Sequence, residues 1–250
     1  MLQVKKLLTY SEFNSSRKYL DDFVSKAAAS LPKGALVLDA GAGNGMYKSL
    51  FSEAIYESAD FCQVEKEYDQ VTYVCDLANI PVEDDRYNMV LLTQVLEHLP
   101  EPKNVLREIY RVLKPNGELW LSAPFFYEEH EIPFDFYRYT QFGFKYLLQS
   151  TNFKIKEVNW LEGYYGTLSY QLKTAAKFLP NNPKHYGGGI VGLASASLIV
   201  LLKSIFSISA VLFSYWDVQT SMLLQDIAKL YNHSCERSQL KLIKFSWQLS

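Results

Sequence analysis

At 250 residues and 48% hydrophobic content, the chain can bury one full core, or one core with a smaller appendage, and a disordered class is excluded. Lys and Arg number 25 against 27 Asp and Glu, a net charge of −2, so no global basic excess exists to release counterions from a phosphate backbone and no nucleic-acid partner is expected. Cys62, Cys75 and Cys235 show no CxxC spacing and the first residues, MLQVKKLLTYSEF, hold no sustained apolar run, which argues against a disulfide framework, a zinc site and a secretory leader and for a cytoplasmic location.

Asn14 or Ser15 can cap a first helix in which Tyr19, Leu20, Phe23, Val24 and Ala27 share a face, ending before Pro32 and Gly34. The most informative segment follows. ALVLDAGAGNG, residues 35–45, is a buried-strand pattern that ends in Asp39 and enters a turn with Gly41, Gly43 and Gly45 alternating around Ala42 and Asn44. Glycine tolerates positive φ and lets a ligand approach the main chain, so the turn reads as a nucleoside-binding loop. The dinucleotide fingerprint wants its third glycine one place later, where this chain has Met46, so a pyrophosphate cofactor is disfavoured.

Further strands are expected at 55–60, 71–74, 89–93 and 119–123. Between the last two, Val105, Leu106, Ile109, Val112 and Leu113 recur at helical spacing, with Lys114, Pro115 and Gly117 as a stop. A helix over 140–150 and a strand near 154–160 complete an alternation that predicts a doubly wound, mostly parallel sheet, to which the C-terminal segment can add a seventh strand. The links over 61–70 and 76–87 are too short for full crossover helices and read as loops or single turns.

In such a sheet ligands lie beyond the carboxyl ends of the strands. Asp39 ends the first strand. Asp60, followed by Phe61, ends the second at the spacing expected of an acid that holds ribose hydroxyls, with Glu65 as competitor. Asp76, beside Leu77, is placed to accept from an exocyclic adenine amine or simply to cap its loop, and Thr93 and Gln94 end the fourth strand beside the same crevice.

In order and spacing, VLDAGAGNG, YESAD, VCDLANIP, NMVLLTQVLEHLPEP and VLREIYRVLKPNGELWLSAP resemble the class I S-adenosylmethionine-dependent methyltransferases, in particular the type 11 methyltransferase domain, over about half the chain. The resemblance implies that Asp39, Gly41, Gly43 and Gly45 line the methionine and ribose portions of S-adenosylmethionine, that Asp60 holds the ribose diol, that Asp76 and Leu77 bracket adenine and that Gln94 lies beneath the cofactor. Asn88 departs from the family's usual aspartate at the start of strand four, and SQLKLIKF is a poor match to the usual antiparallel closing strand.

Methyl transfer needs alignment and exclusion of water, and an oxygen or nitrogen acceptor gains from a nearby base. APFFYEEHEIPFDFYRYT, just past strand five, concentrates suitable side chains. His130 is the expected base, against the alternative of a solvated loop residue, since imidazole titrates near neutrality. Tyr127, Glu128, Tyr137 and Arg138 are expected on the substrate, Arg138 either clamping an anion or pairing with Asp135. His98 reads as a helix start or cap, and His185 and His233 are assigned nothing.

The domains expected are thus an N-terminal helical segment at 1–34, a cofactor-binding core at 35–160, a helical hydrophobic insertion at 161–220 and a C-terminal segment at 221–250 that can supply the last strand. Residues 187–216 carry Lys203 as their one charge. Leu198, Leu201, Leu202, Ile205, Phe206, Leu212, Phe213 and Trp216 keep helical spacing opposite Lys203, Ser207 and Ser214, which fits a helix packed on the domain or in a homodimer, one lying in a membrane surface, or a span. A small-molecule, glycan or lipid-like acceptor follows as the expectation, handled at the inner face of the membrane. The competing readings are a scaffold that keeps the fold without turnover and an NAD(P)-dependent oxidoreductase.

Overall fold

The computed structural model describes residues 15–64, 68–232 and 243–249. Asn14, Glu65 and His233 lie outside them. Two compact units emerge: one comprises Arg17–Leu161 together with the last strand, and the other is helical and starts at Glu162.

In the first unit, helix α1 (Ser15–Ser30) precedes strands β1 (Leu36–Ala40), β2 (Ile55–Asp60), β3 (Tyr73–Val74) and β4 (Tyr87–Thr93), helix α2 (Pro102–Val112), strand β5 (Leu113–Phe126), helix α3 (Gln141–Gln149) and strand β6 (Glu157–Trp160). Strand β7 (Ile243–Leu249) closes the order β3-β2-β1-β4-β5-β7-β6, and every recorded pairing is parallel. The order reverses between β1 and β4, the topological switch point at which open α/β sheets bind ligands.

Strand residues alternate between two apolar faces, which is why both must be covered. Val37, Met89, Leu91 and Trp120 pack with Phe23, Val24 and Ala27 of α1, and Leu38, Val90, Leu92 and Leu121 pack with Val105, Leu106 and Ile109 of α2 and Phe144 and Leu148 of α3. Helix α1 therefore belongs to the sheet-bearing unit rather than to a separate N-terminal segment. Asn88 ties two strands at their start, its Oδ1 accepting from Leu36 N at 3.1 Å and Lys114 Nζ at 3.0 Å.

Three sequence expectations are revised. The Lys114–Gly117 stretch, read as a helix stop, is already part of β5: the register steps from Tyr87↔Leu113 to Met89↔Glu118, and the intervening residues bulge out with Asn116 at φ +67°. Strand β3 is two residues long, Tyr73 and Val74 pairing with Ala59 and Asp60 of β2, while Thr72 meets Ser58 through side-chain hydroxyls. The closing strand runs parallel to β5 and β6, not antiparallel.

In the helical unit, α4 (Tyr164–Phe178) and the long α5 (Gly189–Asn232) pack against each other. Tyr165 stacks on Phe213 with ring centroids 5.9 Å apart, and Trp216 meets both edge-on. Gly163 and Gly166 give close approach to Asp217, whose Oδ2 accepts from Gly163 N at 3.3 Å. The stretch Gly189–Thr220 is long and apolar enough to cross a membrane and is 11% buried over its most apolar window. Ile190, Val191, Leu201 and Ile208 are exposed.

Candidate functional site

The glycine turn is the first wall of the site. Gly41, Gly43 and Gly45 all have positive φ, and Gly41 N donates to Ala59 O at 2.7 Å, so the turn folds back over the end of β2. There Asp60, almost wholly buried, accepts from Gly43 N at 2.9 Å through Oδ2 and from Cys62 N at 3.0 Å through Oδ1. Each carboxylate oxygen keeps a further lone pair for a hydroxyl donor.

A cleft of about 410 Å³ opens at this edge, within the range of about 300–1,000 Å³ that small-molecule sites occupy. Gly41, Asp60, Phe61, Asp76, Leu77 and Gln94 of the expected cofactor set line it. Asp76 lines the cleft, and its Oδ1 accepts from Ala78 N at 2.8 Å, the loop cap that was one of its two expected roles. Gln94 has φ +54°, an uncommon backbone state for a residue with a side chain, and is held by Gln94 N donating to Ser122 O at 2.9 Å. Cys75 also lines the cleft, where burial pushes its thiol up to about 11, so it stays protonated near neutrality.

Asp39, Ala42, Gly43, Asn44, Gly45 and Thr93 are not among the lining residues. Asp39 is buried at the end of β1 and accepts a hydrogen bond from Tyr56 Oη at 2.6 Å. Burial pushes its carboxyl up to about 6, against the pull of the Tyr56 hydroxyl and with a further push from Asp60. A carboxyl raised on folding binds its proton more tightly in the native state, so its contribution is full below pH ~4 and is lost as pH rises to ~6. Asp39→Asn is expected to remove that slope and to be more stable than the parent by about 2–3 kcal/mol at pH 7.5 but not at pH 4. Urea denaturation at both pH values checks this, and parallel curves would contradict it.

The second wall comes from residues the sequence reading set aside. His98 ends the 3-10 turn Leu96–His98 after β4 and lines the cleft, together with Glu131 and Phe134 from the segment that follows β5. That segment folds back on the turn: Phe136 N donates to Glu97 O at 2.9 Å, and Tyr139 Oη donates to Leu96 O at 3.1 Å. Phe134 meets Phe61 edge-on at 5.4 Å between centroids, forming an aromatic flank.

The expected substrate residues lie elsewhere in the same segment. Arg138 places its guanidinium on both oxygens of Asp135 at 2.6 and 2.8 Å and on the carbonyls of Tyr127, Glu128 and Tyr137, which is the pairing alternative rather than an anion clamp. Tyr137 Oη donates to Pro100 O at 3.0 Å. Tyr127 packs edge-on against His130 at 4.8 Å. None of Tyr127, Glu128, His130, Tyr137 and Arg138 lines the cleft; His130 reaches it only through His98, whose ring it meets at 4.7 Å. Beneath both imidazoles sits Glu97, wholly buried, its carboxyl pushed up to about 8 by desolvation.

Residues 12–156 match the family described as Methyltransferase domain. Among individual relatives, a tRNA (carboxymethyluridine(34)-5-O)-methyltransferase of Arabidopsis thaliana is 29% identical over 118 residues, 44% of this chain and 29% of that protein. A ubiquinone biosynthesis O-methyltransferase of Pseudomonas putida is 30% identical over 129 residues, 45% of this chain and 52% of that protein. The chain thus spans between about a third and a half of the length of these relatives. The solved 1,6-didemethyltoxoflavin-N1-methyltransferase of Burkholderia thailandensis, with bound S-adenosylhomocysteine, is 22% identical, with TM-score 0.42, over 52% of this chain and 66% of that one. Since the family match takes in more than half of the chain, from α1 through β5 to α3, the protein belongs to the class I S-adenosylmethionine-dependent methyltransferases.

Proposed function

We propose that the chain transfers the methyl group to an oxygen of a small lipid-like acceptor at a membrane surface. The observation that carries the acceptor class is the helical unit, in which Gly189–Thr220 leaves most of its apolar window uncovered. Such a face gains on contact with acyl chains in proportion to the area removed from water. The resemblance to an enzyme named for O-methylation in ubiquinone biosynthesis supports oxygen as the atom methylated.

When bound, S-adenosylmethionine supplies a methyl group on a positively charged sulfur. The chain's residues have three tasks. Asp60 and the Gly41 turn hold the ribose, Asp76 and Leu77 bracket adenine, and Gln94 with the Phe61–Phe134 flank excludes water from the reacting end. Activation of the acceptor falls to the cluster of Glu97, His98 and His130 rather than to His130 alone.

Methyl-labelled S-adenosylmethionine, incubated with the full chain and an extract of its own cells, is expected to leave label in the organic-soluble lipid fraction. One relative is named for tRNA, and label confined to RNA, protein or small polar compounds would overturn the lipid-like acceptor.

A further inference from the structure

We propose that Glu97, His98 and His130 form a binding site for one divalent first-row transition cation at the mouth of the cofactor cleft. The site's role in activating an acceptor rests on the methyl-transfer reading; its existence does not.

The starting point is Glu97. Its side chain is wholly buried, and neither carboxylate oxygen has a hydrogen-bond partner. A carboxyl removed from water without hydrogen bonds is costly, and native structures keep one only where a proton or a cation completes it. The nearest cationic or metal-ligating atom recorded beside it is His98 Nε2, 3.8 Å from Oε1.

Each imidazole has its Nδ1 turned to an oxygen acceptor. His98 Nδ1 faces Phe134 O, and His130 Nδ1 faces Glu128 O at 3.1 Å and Asp135 Oδ2 at 3.3 Å. Carbonyl and carboxylate oxygens only accept, so each Nδ1 carries a proton, and in the neutral ring Nε2 is left with the lone pair. A ring nitrogen held by a carbonyl or carboxylate while the other nitrogen points at an ion is the usual outer shell of metal-bound histidine. Asp135 is itself locked by the two-pronged contact from Arg138.

One oxygen of Glu97 and one nitrogen of each histidine lie within 4.8 Å of one another. Ligand bonds of about 2.0–2.2 Å put donors around one ion roughly 3–4 Å apart, so closure needs only side-chain adjustment. Two imidazoles and one carboxylate suit Zn²⁺, Fe²⁺ or Co²⁺ better than Mg²⁺ or Ca²⁺, which prefer all-oxygen shells. Three protein ligands leave positions open toward the cleft that His98 lines, where a cation lowers the pKa of a bound hydroxyl.

The test is titration of Co²⁺ into the full chain after chelation and dialysis, read by visible absorption and calorimetry. One Co²⁺ per chain with imidazole-type absorption, displaced by Zn²⁺, is expected. His130→Ala, at a partly exposed loop position, and Glu97→Gln should each weaken uptake at least tenfold while S-adenosylhomocysteine binds within about twofold of the parent. Retained S-adenosylhomocysteine binding without Co²⁺ uptake, or uptake equal in parent and both variants, would overturn the cation site and leave a proton as Glu97's only partner. Loss of S-adenosylhomocysteine binding in the folded parent would instead strike the methyl-transfer reading, and Co²⁺ uptake would still decide the cation site.

Discussion

Asp60→Ala is expected to weaken S-adenosylmethionine binding by about 10²–10⁴-fold and to cost the fold a further 2–3 kcal/mol. Both effects come from one carboxylate. Two charge-assisted hydrogen bonds to the ribose, each worth about 1.5–3 kcal/mol, give the loss of affinity. The loss of stability follows because Gly43 N and Cys62 N both donate to Asp60, and alanine leaves two partly buried backbone donors without that acceptor. Asp60→Asn keeps one acceptor oxygen and should fall between the two. Calorimetry and urea denaturation on the same samples separate the effects, and an Asp60→Ala chain that binds like the parent would remove Asp60 from the cofactor site.

Gly41→Ala should be nearly as damaging, for a steric reason. A Cβ there would overlap the Val95 side chain, at a backbone φ of +80° that side chains rarely adopt. Overpacking and the left-handed backbone each cost about 1–3 kcal/mol, and displacement of Val95, which lines the cleft, narrows the cofactor site as well. Gly34 is the control: its φ is +75°, yet nothing lies within 4 Å of a Cβ built on it. Gly34→Ala should therefore lose only about 1 kcal/mol and bind cofactor normally. Equal melting temperatures for the two variants would show that the turn at Gly41 is not packed as described.

Much of the fold was legible because it rests on local patterns. The run Leu36–Ala40, the α2 face of Val105, Leu106 and Ile109, and the lack of helices among the described residues between β2 and β4 follow from apolar periodicity and from link length. The course of β5 was not, since Lys114-Pro115-Asn116-Gly117 is stop-like chemistry and only pairing with β4 turns it into a bulged strand. Strand β7 shares only Ile243–Phe245 with the expected SQLKLIKF and runs parallel, a direction not foreseen because a strand's own residues do not state which way its neighbours run.

One wall of the cleft was likewise readable, since Gly41, Asp60, Asp76 and Gln94 lie at or just past the ends of β1 to β4 and so reach one edge by topology. The wall formed by His98, Glu131 and Phe134 was not. Glu97 and His98 look like ordinary polar residues of a short turn, and they join His130 only because the segment after β5 folds back across 30 residues of sequence. The adjacent pair Glu97-His98 directly after a buried strand was the available signal. Arg138 could be read both ways, and of its two alternatives the structure has the ion pair with Asp135, three residues away, which fixes the loop.

The cleft between the Gly41 turn and His98 is expected to hold the adenosyl cofactor. Calorimetric titration of S-adenosylhomocysteine into the folded full chain, beside NAD⁺ under the same conditions, tests it most directly. One site per chain for the first and none for the second is the predicted result; a folded chain that binds neither S-adenosylhomocysteine nor S-adenosylmethionine would contradict it.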